Sequence, residues 1–324
     1  ANMEETVGRT TVSCADLVCQ DKARPLFLSG VGCHPRGTAP GVFNAWNGLA
    51  PLPEPKERHA ETKDGCPLIL AHIRSVLACG NAEHEAYILK WLAHMLQRPE
   101  ERPDTAIVLR GRQGSGKDTL GYYLRAVLGV LYRNVSNHKH VTGNFNAHLI
   151  GKLMLHAEEA AFAGRKAEEG LLKALITQKE LLAEPKGVEA FSVDSFLRVM
   201  MTSNEHHVVP AAEGERRFAI FDTSPHRCRD WPYFRAIYNE MEGDGAFYFR
   251  RFLEEMDLSG FEVRDLPRTD ALREQQASSL RGFDLFWSQL IDDGASFQAD
   301  DGQAWEDAPV LVEKDAFRGR YHRW

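Results

Sequence analysis

The most regular stretch of the chain is a short apolar run that gives way to glycines and then to a helical repeat. Ile107, Val108 and Leu109 form an unbroken run of β-formers, and Leu120, Tyr123, Leu124, Val127 and Leu128 recur afterwards at the spacing of one helical face. A buried strand, a tight loop and a helix are therefore predicted in that order. Two helices are predicted upstream, over residues 67–79 and 82–97, closed by Pro99 and Pro103. Downstream, the apolar run 149–156 ends in Ala157-Glu158-Glu159, and a helix over 167–176 carries Leu171, Leu172 and Leu175 as its buried face. Two short arms around Pro185-Lys186-Gly187 read as a hairpin, and further strands are predicted at 196–201 and 218–221. From Pro225 the pattern is helical, over 233–241, 247–256, a long segment 269–291, and 313–324.

Strands alternating with helices predict an α/β core with a central, mostly parallel sheet. The expected organisation is an irregular lead-in (1–65), a helical module suited to oligomerisation (66–103), the core (104–224) and a C-terminal helical region (225–324). At 324 residues and 43% hydrophobic content the chain can bury a sizeable core. No apolar run approaches the ~20 residues that span a bilayer, and the N-terminus has no signal-peptide regions, so a cytoplasmic protein without membrane contact is expected. A net charge of −7 argues against a surface coated for nucleic acid, while leaving room for a local basic groove. Cys14, Cys19 and the Cys33-His34 pair match no common zinc spacing, and the six cysteines read as reduced thiols.

The chemistry concentrates on Gly111-Arg112-Gln113-Gly114-Ser115-Gly116-Lys117-Asp118-Thr119. Three glycines let successive N–H groups turn inward on an anion, and the following helix offers its N-terminal dipole to the same point. The spacing of Gly111, Gly116 and Lys117 is that of the P-loop of nucleoside triphosphatases, in which the lysine lies against the β- and γ-phosphates. ATP held by residues 111–119 with Mg²⁺ is the expected cofactor pair. The position after the lysine, usually Ser or Thr for the metal, is Asp118, so either Asp118 or Thr119 is the expected loop ligand. A strand ending in acids downstream of such a loop predicts Glu158 as the metal-side carboxylate and Glu159 as the base that polarises the attacking water. Asn204, at a strand end, is placed to orient water or contact the γ-phosphate. Arg216 and Arg217 offer a guanidinium to a neighbouring subunit's nucleotide.

This ordered set resembles superfamily 3 helicases of the AAA+ class, most closely the helicase module of phage and mobile-element primase-helicases. The resemblance rests on residues 43–48 (Phe-Asn-Ala-Trp-Asn-Gly), the loop 111–119, Asn144-Phe145-Asn146, Glu158-Glu159, residues 172–177, Lys186-Gly187, Thr202-Ser203-Asn204 and Arg216-Arg217-Phe218. It implies a P-loop AAA+ ATPase forming a hexameric ring that moves along single-stranded DNA in its channel, in phage or mobile-element DNA replication within a bacterial host cell. In that family's terms Lys117 binds phosphate, Glu158 and Glu159 serve magnesium and water, Asn204 is the sensor, and Arg216 or Arg217 is the finger acting in trans. Lys186, with Lys173, grips DNA. The resemblance also implies a primase-polymerase module in the same or a partner chain, and the residues from Val312 read as the opening of a winged helix.

Two other readings compete. Gly-Ser-Gly-Lys-Asp-Thr also occurs in P-loop nucleotide or small-molecule kinases, which call for an arginine-rich lid and an acceptor pocket that the sequence does not display. A non-motor switch that binds DNA and uses ATP only to assemble is favoured by the altered Asp118 position and opposed by the two acids and the arginine pair.

Overall fold

The computed structural model describes residues 4–7, 10–13, 30–136, 147–159, 166–183, 190–212, 214–292 and 314–324. Two small pairs precede the core: β1 (Glu4–Val7) with β2 (Thr10–Ser13), antiparallel, and β3 (Val31–Gly32) with β4 (Phe43–Asn44), parallel. Helix α1 (Pro67–His72) runs on through a wider turn, Ile73–Leu77, and α2 (Ala82–Gln97) follows, with the Asn81 side chain accepting from Glu83 and His84 N–H as its N-cap.

The centre of the molecule is a five-stranded parallel sheet. It comprises β5 (Ala106–Arg110), β6 (Tyr132–Val135), β7 (Met154–Ala157), β10 (Arg198–Ser203) and β11 (Phe218–Asp222), ordered β11-β5-β10-β7-β6. The strand that feeds the glycine loop, β5, thus lies between β11 and β10, and β10 separates it from β7. A parallel sheet must be covered on both faces, which is why β5 and β10 are buried at every position. The period of two is explicit in the packing. Ile107, Leu109, Met154, Met200, Ala219 and Phe221 point into one core, shared with α1, α2, α3 (Thr119–Leu128), α5 (Trp231–Glu240) and α6 (Ala246–Glu255). Val108, Leu155, Val199, Met201, Phe218 and Ile220 point into the other, closed by α4 (Lys166–Thr177), the antiparallel pair β8 (Glu180–Ala183) and β9 (Phe191–Asp194), and α7 (Asp270–Ser279). The helices before the loop and those after β11 therefore share one core. Glu240 of α5 ties them together by accepting from the Leu68 and Ile69 N–H at the start of α1. Helices α8 (Phe283–Asp292) and α9 (Lys314–Arg323) pack aromatic rings edge to face, Phe286 against Phe317 and Tyr321.

Several boundaries differ from the sequence pattern for visible reasons. The apolar run 149–156 begins as a turn, with Gly151 at φ +69° passing close to the Ala45 carbonyl, and only Met154–Ala157 is strand. Leu171 is 51% exposed, because Leu172 and Ile176, four apart, take the buried face of α4. The long segment 269–291 is broken at Leu280, which is extended, and Gly282, at φ +57°. No described helix is long and apolar enough to cross a membrane.

Candidate functional site

Parallel strands that share one direction deliver their following residues to one edge of the sheet, and here that edge collects the charged and amide groups. The loop after β5 turns through Gly114 (φ +80°) and Gly116 (φ +91°) before α3 begins at Thr119. A side chain at 116 would meet Phe234 at 2.5 Å and His72 at 2.8 Å, so only glycine fits both the backbone angle and the space. His72 braces the turn from behind. Its Nε2 lies 3.0 Å from the Gly116 carbonyl, which can only accept, so Nε2 carries the proton and Nδ1 accepts from the Tyr233 hydroxyl at 3.1 Å. Burial holds this imidazole neutral, its pKa lowered to about 4. Ser115 is locked in place against Thr223 by a 3.0 Å hydroxyl pair, and Cys228 donates to the Gln113 carbonyl.

Lys117 is 4% exposed and donates to the Asn204 Oδ1 at 2.5 Å, while the Asp118 carboxylate stands 3.9 Å away. An ammonium has three donors, and this is its single hydrogen bond among the described residues. Because β10 lies between β5 and β7, the strand that ends before Asn204 runs between the lysine's strand and the one followed by Glu158. Beside the lysine, ligand atoms of Asp118, His156 and Glu158 lie within 4.8 Å of one another. His156 is wholly buried, with Nδ1 hydrogen-bonded to the Tyr132 hydroxyl (2.7 Å) and Nε2 to that of Thr202 (3.2 Å). Burial lowers its pKa to about 4, against the pull of Asp118. Its ring passes so close to α3 that a Cβ at Gly121 would fall 2.3 Å from Nδ1. With both ring nitrogens engaged, His156 backs the site, and the carboxylates face it. Asn134 donates to Glu158 Oε1 at 2.8 Å and fixes that carboxylate. Nearby, burial first and then the Glu158 and Asp118 charges push the Tyr122 hydroxyl up to about 12. Two hard carboxylates beside the glycine loop suit a magnesium-sized cation, with Asp118 and Glu158 as the residues that would hold it. Thr119 is buried at the first turn of α3 and lines the same cleft.

The remaining predicted residues lie elsewhere. Glu159 is exposed with φ +52°, so it departs from the line of β7 directly after Glu158. Arg216 and Arg217 precede β11, at the opposite end of the sheet from the loop. The five residues of β5 separate them from it, roughly 15 Å at ~3.3 Å per residue. The Arg217 guanidinium is held by Glu215 at 3.2 Å, whereas that of Arg216 is exposed with no hydrogen bond or ion pair among the described residues. Lys173 is on α4, which packs against the second core. Lys186 and Asn144-Phe145-Asn146 lie outside the described residues.

A cleft of about 440 Å³ opens between the glycine loop and α5. No sequence motif marks it, since its walls come from residues 114–122 and 229–238, far apart in the chain. Trp231, Tyr238 and Tyr122 supply rings, and Arg229 and Arg235 supply guanidinium groups. A larger cavity of about 610 Å³ lies near the other end of β5, but its charges are answered locally, Arg102 by Asp104 and Arg98 by Glu101.

The central part of the chain, residues 109–217, matches a protein family of unknown function, DUF5906. The chain is also 24% identical over 226 residues to the DNA primase-polymerase of Nitratiruptor phage NrS-1. That match takes in 66% of this chain and 31% of the relative, so the chain spans about a third of that relative's length. Among solved structures, two apo forms of the NrS-1 C-terminal region superpose with TM-scores of 0.67 and 0.69, at 18% and 17% identity. They cover 94% and 98% of this chain and 79% of theirs, and at such identity the likeness establishes a common fold.

Proposed function

We propose that the chain is a P-loop ATPase of the AAA+ type, an ATP-dependent DNA translocase or helicase acting in phage or mobile-element DNA replication. The observation that carries this reading is the convergence of Lys117, Asn204, Asp118 and Glu158 on one sheet edge, with the lysine buried and making a single hydrogen bond among the described residues. A buried cation is costly unless paired, and a triphosphate against the loop N–H groups would supply the missing acceptors. Magnesium, when bound, would neutralise charge on the β- and γ-phosphates. Asp118 and Glu158 would hold it, Asn134 keeping Glu158 in place. Asn204, already on the lysine, would meet the γ-phosphate, and Glu159 would take the proton of the attacking water. Proton abstraction needs a carboxylate free of the metal, and Glu159 is exposed and turns off β7 at φ +52° directly after Glu158.

The arginines favour an assembly. About 15 Å of strand keeps Arg216 from its own loop, so its exposed guanidinium, unpaired among the described residues, suits the nucleotide of a second copy, as in a ring. Of the pair, Arg216 is the better finger because Arg217 is already held by Glu215. Similarity to a phage DNA primase-polymerase supports replication as the setting, with single-stranded DNA as track and a primase-polymerase module as partner. Lys186 and Lys173 remain the proposed DNA contacts.

Hydrolysis and nucleotide binding, measured on the chain and three variants, test the assignment. Lys117→Ala is expected to lose both. Glu159→Gln is expected to keep binding and lose turnover, and Arg216→Ala to keep binding and lose turnover by ~10³-fold, as for fingers supplied in trans. Normal hydrolysis by Lys117→Ala would remove the loop from the mechanism.

A further inference from the structure

The cleft beside the glycine loop is unlike the rest of the surface. Trp231, the first residue of α5, is 69% exposed, which exceeds every other large apolar side chain among the described residues. Tyr238 lies two turns along the same helix, and Tyr122 faces them from α3, 37% exposed. Arg229 and Arg235 line the same space, both exposed and with no ion pair among the described residues. Arg229 sits at φ +62°, held there by its N–H on the Gly114 carbonyl at 3.2 Å. The cleft is therefore joined to the phosphate loop by a backbone bond. Rings left in water beside an anion loop match a flat, aromatic ligand that carries phosphate.

We propose that this cleft is a nucleobase subsite, with Trp231 as its stacking platform, and that it takes purine nucleoside triphosphates without selecting adenine over guanine. The inference rests on the ATPase reading of the neighbouring loop. Stacking is available to any base and is larger for a purine than for a pyrimidine. Selection of adenine calls for a dedicated acceptor for its amino group, and the cleft's polar side chains other than Asp118 and Thr119 are the two guanidinium groups and the Trp231 N–H, which only donate, and the tyrosine hydroxyls, which donate or accept and so suit either purine. Asp118 stands at the phosphate end, 3.9 Å from Lys117. Guanine, by contrast, presents two acceptors that an arginine can satisfy. A helix starting at Asp230-Trp231-Pro232 holds the platform firmly, since Asp230 caps it by accepting from the Tyr233 N–H.

The test is displacement of a fluorescent ribose-labelled ATP from the purified chain by ATP, GTP, CTP and inorganic tripolyphosphate. The chain as it stands is compared with Trp231→Ala, Trp231→Phe and Lys117→Ala. Expected are ATP and GTP within about tenfold of each other and CTP weaker. Trp231→Ala should weaken both purines by roughly 10-fold or more, from ~1–3 kcal/mol per stacked base, leave tripolyphosphate unchanged, and be largely rescued in Trp231→Phe. A preference for ATP over GTP of about 100-fold would overturn the proposal, as would equal loss of tripolyphosphate in Trp231→Ala. Labelled ATP bound equally well by Lys117→Ala would instead overturn the ATPase reading beneath it.

Discussion

Gly116 carries more of the site than its size suggests. Its backbone angle turns the loop, its carbonyl accepts a hydrogen bond from His72, and its missing side chain lets Phe234 and His72 close behind the turn. Gly116→Ala would place a methyl group at 2.5 Å from a packed ring and force an L-residue to φ +91°. A loss of about 2–4 kcal/mol is expected, combining strain with overpacking, and chemical denaturation of the variant checks it; stability within ~0.5 kcal/mol of the parent would contradict the tight packing. Glycines and a lysine in sequence announce such a loop, so Gly111, Gly116, Lys117 and Asn204 are legible in the sequence alone. His72, Asn134, His156 and Trp231 are not. A histidine on the apolar face of a predicted helix or within an apolar strand looks like any core residue, and only tertiary contact reveals that one braces a carbonyl and another backs two carboxylates. Trp231 sits at a helix start in sequence and at the loop's mouth in space.

Among the elements, the parallel sheet is readable because strands buried on both faces show as nearly continuous apolar runs, as in residues 106–109 and 199–201. Their order is not, because hydropathy carries no record of which strand pairs with which. That β10 pairs with β5 is what brings Asn204, just past its end, onto Lys117. The junctions between elements are closed by neutral, buried imidazoles: His72 between α1, the loop and α5, His94 beside Arg198 at the end of α2, and His156 between β7, β6 and β10. Burial lowers each to about 4, helped at His94 by the Arg198 charge. In the unfolded chain they titrate near ~6.5. Between those limits the unfolded state takes up protons that the folded state refuses, so stability is complete above about pH 6.5 and falls as pH drops toward 4. Each imidazole costs ~1.4 kcal/mol for every pH step of one below its unfolded value, so the combined loss reaches several kcal/mol. The Tm is expected to fall steadily from pH 7 to pH 5, and a constant Tm over that range would contradict the three neutral histidines.

At the scale of the whole molecule, the two ends of the sheet are chemically different. One carries the lysine, the amide, the carboxylates and the aromatic cleft; the other carries the Arg216 guanidinium, exposed and without a partner among the described residues. A single copy cannot bring them together, whereas copies arranged head to tail can, and a head-to-tail contact closes into a ring when its rotation permits. On the proposed reading, hydrolysis would depend on assembly, and assembly would enclose a strand in a channel. The most direct test is ATP hydrolysis by the purified chain with and without single-stranded DNA, with the mass of the assembly followed in the same samples. DNA is expected to stimulate hydrolysis, and the active species to have a mass near six copies. Full hydrolysis by a monomer indifferent to DNA would contradict the ring motor, and transfer of the phosphate to a small acceptor would point to a kinase.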